Sequence, residues 1–384
     1  MNAYSIKTDS YTHIHYAFGN ITSDFNVNDG GYGDQFQQFL DLPSVKKVIS
    51  FGGWTFSTDP STYMIFREGV LPANSQTLAQ NVVNFVVGNG LDGVDFDWEY
   101  PGEPDIRGIP AGSPDDGTNY LAFLQELRSL LPAGNTISVA APASYWYLKG
   151  FPIADIAKVV DYIVFMTYDL HGIWDEGNSY SQDGCPGGNC LRSDINMTET
   201  QNALSMITKA GVPSNKIMVG TTSYGRTFTM STAGCWTSEC TYTEAGAAGE
   251  CTQTAGYLAN AEINEIIATD PTAQKLVDAA SNTTILIYNE TQWVGYMDTA
   301  TREWRNAIYQ FALMGGTSEW AVDLEEFVPT PDTIDIAEYG FDLYDCNKIC
   351  LNPLPDWGSE NITAFAYCGA AYIDTIFRSG TLSS

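Results

Sequence analysis

Leu91-Asp-Gly-Val-Asp-Phe-Asp-Trp-Glu-Tyr-Pro101 is the stretch on which the reading of this chain turns. Alternate residues of a strand share a face. Asp95, Asp97 and Glu99 therefore point one way, and Val94, Phe96 and Trp98 point the other, toward covering helices. Asp92 stands off this pattern at the strand's start. Three carboxyl groups side by side on a buried strand are costly. Adjacent negative charges raise one another's pKa, so the arrangement suits a group that must hold a proton near neutral pH. Glu99, last in line at the strand's carboxyl end, is the candidate general acid, with Asp97 sharing a proton and Asp95 behind it. Asp-x-Asp-x-Glu is also a hard-cation pattern. An EF-hand loop, however, needs Gly at its sixth position and Glu at its twelfth, and this segment reads as a strand, not a turn. Neither a metal nor a cofactor is expected.

Outward from this strand the chain alternates β-branched or aromatic runs with helical ones. Strands are expected over residues 11–21, 47–53, 91–98, 136–142, 160–168 and 216–223. Helical spacing runs over 75–88, 119–131 and 198–210, the last with Glu199 three residues after Asn196 as a start signal. Repeated strand–helix alternation implies a parallel sheet with helices outside it, either an open doubly wound sheet or a closed (β/α)8 barrel. The repeat breaks after Arg226. Residues 227–298 are rich in Cys, Gly and Thr and carry a helical run, 260–268, and a strand-like run, 284–288, which reads as an inserted α+β lobe. A helix over 302–314 and a last strand over 317–324 follow. The expected division is residues 1–226 and 299–330 for the main α/β unit, 227–298 for the lobe, and 331–384 for a Cys-containing tail without clear period.

The 384 residues suffice for one large domain with an insertion. Lys plus Arg number 17 against 46 Asp plus Glu, a net charge of −29, which repels nucleic acid and anionic membranes. A neutral polymer stays open. With 9 Trp and 22 Tyr the chain has flat rings to offer the apolar faces of sugars. All 8 Cys lie from Cys185 onward, with no Cys-x-x-Cys pair, and only 3 His are present. Disulfides outside the cell fit this better than zinc, and the pairing stays open. Sequons at Asn20, Asn196, Asn282, Asn289 and Asn361 agree. The first residues lack the apolar core of a signal peptide, so a leader is expected to have been removed or left out. No run of 18 apolar residues exists to span a membrane.

Asp92-x-x-Asp95-x-Asp97-x-Glu99, followed by Tyr100-Pro101, resembles the signature of the family 18 glycoside hydrolases, the chitinases. Ser50-Phe-Gly-Gly-Trp54 looks like the family's third-strand motif, and Met166-Thr-Tyr-Asp169 like its sixth. Tyr224-Gly-Arg226 resembles the opening of the insertion lobe, and Trp320 the last-strand tryptophan. The loop from Trp174 to Leu191 looks most like the fungal members. The resemblance covers residues 10 to 328. It implies a (β/α)8 TIM barrel with a lobe between strands 7 and 8. It also implies retaining hydrolysis of β-1,4-linked N-acetylglucosamine assisted by the substrate's own acetamido group, which departs from the usual two-carboxylate scheme. Glu99 would protonate the leaving oxygen, Asp97 would hold the acetamido N–H, Asp95 would share its proton, and Tyr168 would donate to the acetamido oxygen. Trp320 would floor the sugar site with Phe18 beside it. Trp54, Tyr100, Met166, Asp169, Tyr224 and Arg226 would line the cleft. Gly52 and Gly53 read as structural, permitting close backbone approach. His171 reads as a satisfied loop histidine.

One expected element is absent. Family members carry a first strand and helix ahead of the segment matching 11–21, and only about ten residues stand there here, too few at ordinary lengths. A barrel without strand 1 would leave two open edges. The expected partner is chitin or chito-oligosaccharides, met by a secreted monomer that binds neither nucleic acid nor membrane. Competing readings are a chitin-binding lectin, an endo-N-acetylglucosaminidase acting on N-glycans, and a truncated fragment. Lectins of this family typically lose the final acid, and Glu99 is present.

Overall fold

Apolar residues at every second position of the strands meet helices stacked outside them. The computed structural model describes residues 2–327 and the strand Ile373–Ile376. Strands β1 (His13–Ile21), β2 (Val27–Asn28), β3 (Lys46–Gly52), β4 (Gly93–Asp97), β5 (Thr136–Pro142), β6 (Tyr162–Met166) and β7 (Ile217–Thr222) come first. Strands β8 (Tyr224–Met230), β9 (Tyr242–Ala245), β10 (Tyr257–Ala259), β11 (Gln274–Asp278), β12 (Thr283–Tyr288) and β13 (Gln292–Tyr296) follow. Strand β14 (Gly316–Trp320) and β15 (Ile373–Ile376) complete the set.

β1, β3, β4, β5, β6, β7 and β14 run parallel, each beside the next. These are seven strands of a (β/α)8 barrel. The eighth position, between β14 and β1, is filled by β15, antiparallel to both. Thus the two edges expected to stand open are paired to a strand from the tail. Four residues, Ile-Asp-Thr-Ile, are too short a run to give a periodic signal, which is why the sequence reading sees no strand there. The rest of 331–384 lies outside the described residues, and with it Cys346, Cys350, Cys368 and Asn361.

Alternation sorts the strand residues cleanly. Val94 and Phe96 of β4, Ile137 and Val139 of β5, and Ile163 and Phe165 of β6 lie in one core with helix residues such as Leu78, Val82, Leu124 and Leu127. The helix over Ser75–Gly88 matches its expected span, and Asp116–Leu130 lies within three residues of its own. Asn196 caps the helix Met197–Lys209, its side chain accepting from the N–H groups of Thr198 and Glu199. The last strand stops at Trp320 rather than Leu324, because Val322–Leu324 turns into a short 3-10 segment.

The insertion is an antiparallel sheet in the order β10, β8, β13, β12, β11, with β9 on the outer part of β8. It holds more strand than the expected single run. One face packs Phe228, Tyr242, Ile285 and Trp293, the other Leu258, Ile263, Leu286 and Val294. The disulfides Cys185–Cys190 and Cys235–Cys240 form in this region. No helix among the described residues is long and apolar enough to cross a membrane.

The seam between β7, β8 and β14 is ionic. Buried Arg302, on the helix Thr299–Phe311, donates to Glu319 at 2.5 Å and to Glu325 at 2.7 Å. Glu319 also accepts from Ser223 at 2.6 Å and Tyr11 at 3.0 Å. Removing one partner of a buried pair costs about 3–5 kcal/mol, because the other charge is left uncompensated. Arg302→Met is therefore expected to lower the thermal midpoint steeply, and adding Glu319→Gln should restore part of the loss.

Candidate active site

The inward residues of β4 stand in one file. Asp95 is buried at the middle of the barrel and Asp97 one step nearer its carboxyl end. Strand register sets Ser50 of β3 and Ser138 of β5 directly beside Asp95. Ser50 donates to one carboxylate oxygen at 3.0 Å and Ser138 to the other at 2.5 Å. His15 of β1 follows in the same layer, its Nδ1 at 3.1 Å from the Ser50 hydroxyl and 3.8 Å from Asp95. Its Nε2 meets the Tyr162 hydroxyl at 2.8 Å. Both oxygens of this buried carboxyl group are thus met by neutral hydroxyl donors, one on each side.

Glu99 follows β4 by two residues, its N–H donating to the Ser57 hydroxyl at 3.0 Å. Burial pushes its pKa up to about 7, against the lowering effect of a hydrogen bond with Tyr100, and the charge of Asp169 adds to the rise. Tyr100 stacks on Tyr147 with ring centroids 4.7 Å apart. Burial, and then the charge of Glu99, raise its own pKa. Asp92, by contrast, lies at the opposite end of the strand. It accepts from the Lys47 N–H at 2.8 Å and serves the sheet rather than the cleft.

The glycine pair packs the end of β3 against the acids. Gly52, at φ 115, would place a Cβ 2.0 Å from the Asp97 carbonyl oxygen. Gly53, at φ 86, would place one 2.7 Å from the Phe18 ring. Both facts exclude a side chain. Phe18 in turn lies 5.7 Å from the half-buried Trp320 ring, so β1 and β14 bring these two together. Peptide bonds Ala17–Phe18, Glu99–Tyr100 and Trp320–Ala321 are cis. Met166, at the end of β6, packs inside the barrel against Ala140, Tyr162, Val164 and Met218. Tyr168 sets its ring 6.3 Å from that of Tyr224. Trp54 stands exposed at the start of the helix Trp54–Thr58.

Asp169 joins barrel and lobe. Its backbone is left-handed, at φ 54. One carboxylate oxygen accepts from the Tyr224 hydroxyl and the Arg226 Nε, each at 2.8 Å. The Arg226 guanidinium also lies 4.9 Å from the centre of Trp174 and 5.1 Å from that of Tyr257. His171 is a satisfied loop histidine, buried between Asp175 at 2.8 Å and Glu199 at 3.0 Å. Burial works against its charged form, but the two carboxylates prevail and push its pKa up to about 9. Among the described residues no group of three or more His, Cys, Asp or Glu side chains is placed to hold a metal ion.

This acid file and glycine corner, ringed by aromatic groups, are matched as a whole by one family description. The model for the glycosyl hydrolases family 18 covers residues 1–325. The chain belongs to glycosyl hydrolase family 18. It is similar to a probable chitinase, LysM18, of Penicillium expansum, 54% identical over 339 residues, which are 85% of this chain and 23% of that one. It is also similar to the secreted chitinase LysM12 of the same organism, 51% identical over 341 residues, 86% and 22% of the two chains. The chain therefore spans under a quarter of the length of these curated relatives. The Group IV chitinase of Ostrinia furnacalis, solved in complex with allosamidin, shares the fold at a TM-score of 0.73. The match has 24% identity over 85% of this chain and 88% of that one.

Several residues here escape the sequence reading: His15, Ser138 and Tyr162 around Asp95, and Tyr147 under Tyr100, while Ser50 and Trp174 enter it only as the ends of motifs, without their contacts to Asp95 and Arg226. Ser50 and Ser138 carry a usable signal, a polar residue at an inward position of an otherwise apolar strand, level with the acid. Tyr147, on the short helix Tyr145–Leu148, and Trp174, on the 3-10 turn Ile173–Asp175, carry none. Ser138→Ala leaves one oxygen of Asp95 without its donor in a dry interior. It should cost about 1–3 kcal/mol, read as a lower urea midpoint at unchanged slope.

Proposed function

We propose that this chain is a secreted chitinase that cleaves β-1,4 linkages of chitin or chito-oligosaccharides with retention, through an oxazolinium ion formed by the substrate's acetamido group. The observation that carries the reading is Glu99, an acid pushed up to about 7 by burial at the carboxyl end of β4, with Asp97 and Asp95 in file behind it. Such an acid holds a proton at the pH where it must give one to the leaving oxygen. Asp97 orients the acetamido N–H so that the acetamido oxygen attacks the anomeric carbon, and Tyr168 donates to that oxygen. The glycosidic bond breaks as the Glu99 proton moves to the leaving group. Glu99, now ionised, takes a proton from the incoming water, which opens the ring ion and restores the acid. Asp95, held by Ser50 and Ser138, is the fixed neighbour with which Asp97 shares a proton. Phe18 and Trp320 form an apolar floor, while Trp54, Tyr100, Met166, Asp169, Tyr224 and Arg226 line the cleft around flanking sugars.

Secretion is supported by the two disulfides and by the relative named as secreted. With a net charge of −29, the same reading has a monomer acting on a neutral polymer, away from nucleic acid and membranes.

Hydrolysis of a fluorogenic chitotriose by this chain and by Glu99→Gln is the deciding comparison. Activity should vanish in the variant while oligosaccharide binding persists, and substantial residual turnover would remove Glu99 from its role. Asp97→Asn should cut turnover by a factor on the order of 10²–10⁴. An acid that works protonated loses rate as it ionises, so turnover should fall as pH rises through about 7. That limb should be absent from the residual activity of any variant lacking Glu99.

A further inference from the structure

One buried carboxyl group lies outside the motif and has no assigned task. Asp194 precedes the helix Met197–Lys209 and is fully buried. Neither of its side-chain oxygens makes a hydrogen bond of ordinary geometry among the described residues; they face the backbone N–H groups of Asp194 itself and of Arg226. The ionisable groups around it are Asp169, Arg226 and Tyr224 on the cleft side and Arg305 on the helix Thr299–Phe311. Its backbone carbonyl accepts from the N–H of Leu170 at 2.9 Å. Asp194 therefore braces, from behind, the left-handed turn that presents Asp169.

A buried carboxylate without an ion-pair partner is expensive, and Arg226, the cation that pulls on it, is already engaged. Arg226 gives its Nε to Asp169 at 2.8 Å. The neutral acid is then the stable form of Asp194, and it leaves Asp169 as the one negative charge that Arg226 and Tyr224 must answer.

We propose that Asp194 is a positioning residue of the cleft: as a neutral acid it leaves Arg226 and Tyr224 to Asp169 alone, and on losing its proton it competes for Arg226 and loosens that clasp. The inference rests on the proposed sugar-binding role of Asp169, Tyr224 and Arg226. Burial and then the charge of Asp169 push the pKa of Asp194 up to about 8, against the pull of Arg226. Sugar affinity should accordingly fall as pH rises through that value.

In the wild type the titration of Glu99 near 7 would mask this limb, so binding is measured in Glu99→Gln. Calorimetric affinity for chitotetraose should weaken by about tenfold between about pH 6.5 and about pH 9, the scale of one charge-assisted hydrogen bond. In Glu99→Gln with Asp194→Asn the same series should be flat. His171, which titrates at about 9 on the same loop, is present in both proteins. A decline that survives in the double variant belongs to His171 and overturns the proposal.

A second readout needs no sugar. A carboxyl whose pKa is raised by folding loses stability for the protein as pH climbs from its unfolded value toward its folded one. The melting temperature of Asp194→Asn relative to wild type should therefore rise from about pH 4 to about pH 8 and then level off. A difference that does not change with pH would overturn the neutral-acid state. If Glu99→Gln binds no chitotetraose at any pH, the cleft reading fails, and the melts still decide Asp194.

Discussion

A carboxyl group in the middle of a barrel has to be answered by its neighbours, and the answer given to Asp95 organises the strands around it. Ser50 and Ser138 occupy the two positions that register places beside it, and His15 and Tyr162 extend the layer to β1 and β6. None of these four is a cation of fixed charge. A lysine or arginine there would hold Asp95 as a tight ion pair and draw charge away from Asp97 and Glu99. Neutral donors satisfy the oxygens and leave the electrostatics of the file to the acids themselves. The apolar faces of the same strands are thereby free to pack on the helices, as Val94, Phe96, Ile137 and Val139 do.

The lobe, by contrast, is attached through charged pairs. Only Ser223 separates β7 from β8, so the antiparallel sheet grows directly out of the rim of the barrel. That junction is held from both sides by ionic contacts. Asp169 reaches across to Tyr224 and Arg226 at the start of β8, and Arg302 ties Glu319 of β14 to Glu325 behind it. Arg226 is also covered by Trp174 and Tyr257, which lowers the screening of its pair with Asp169. A lobe joined this way carries its rim residues at fixed height beside the acid file.

The acid strand, the helical stripes and the order of motifs were legible because each is a local pattern: alternation in β4, helical spacing over 75–88, a glycine pair before a tryptophan. The strands within 227–298 were mostly illegible, since short antiparallel strands joined by Gly- and Thr-rich turns have no sustained period. β15 was illegible for the same reason in a sharper form, four residues whose strand character depends wholly on two distant partners. Among site residues, those with a motif of their own could be read, whereas Ser138 and His15 become meaningful only through register with Asp95. Asp194 had no signal at all, for one acid in a loop looks like any surface acid until its burial is known.

Two carboxyl groups and a histidine beside the cleft are raised to neutrality or above, the carboxyl groups chiefly by burial and the histidine by its carboxylate neighbours. Glu99 is raised to about 7 chiefly by burial, Asp194 to about 8 by burial and the charge of Asp169, and His171 to about 9 by two carboxylates that outweigh burial. Asp169 is the common neighbour of the first two. Its negative charge favours the protonated form of both, so anything that anchors that charge also holds protons on Glu99 and Asp194. Arg226 does the anchoring, yet it also pulls against the proton on Asp194. The pair Asp169–Arg226 thus sets a balance: a weaker hold would free Asp169 to move, and a second arginine would favour the ionised forms of Glu99 and Asp194. A single arginine, shared by geometry with one carboxylate and withheld from the other, satisfies both demands on a chain whose net charge of −29 makes cations scarce.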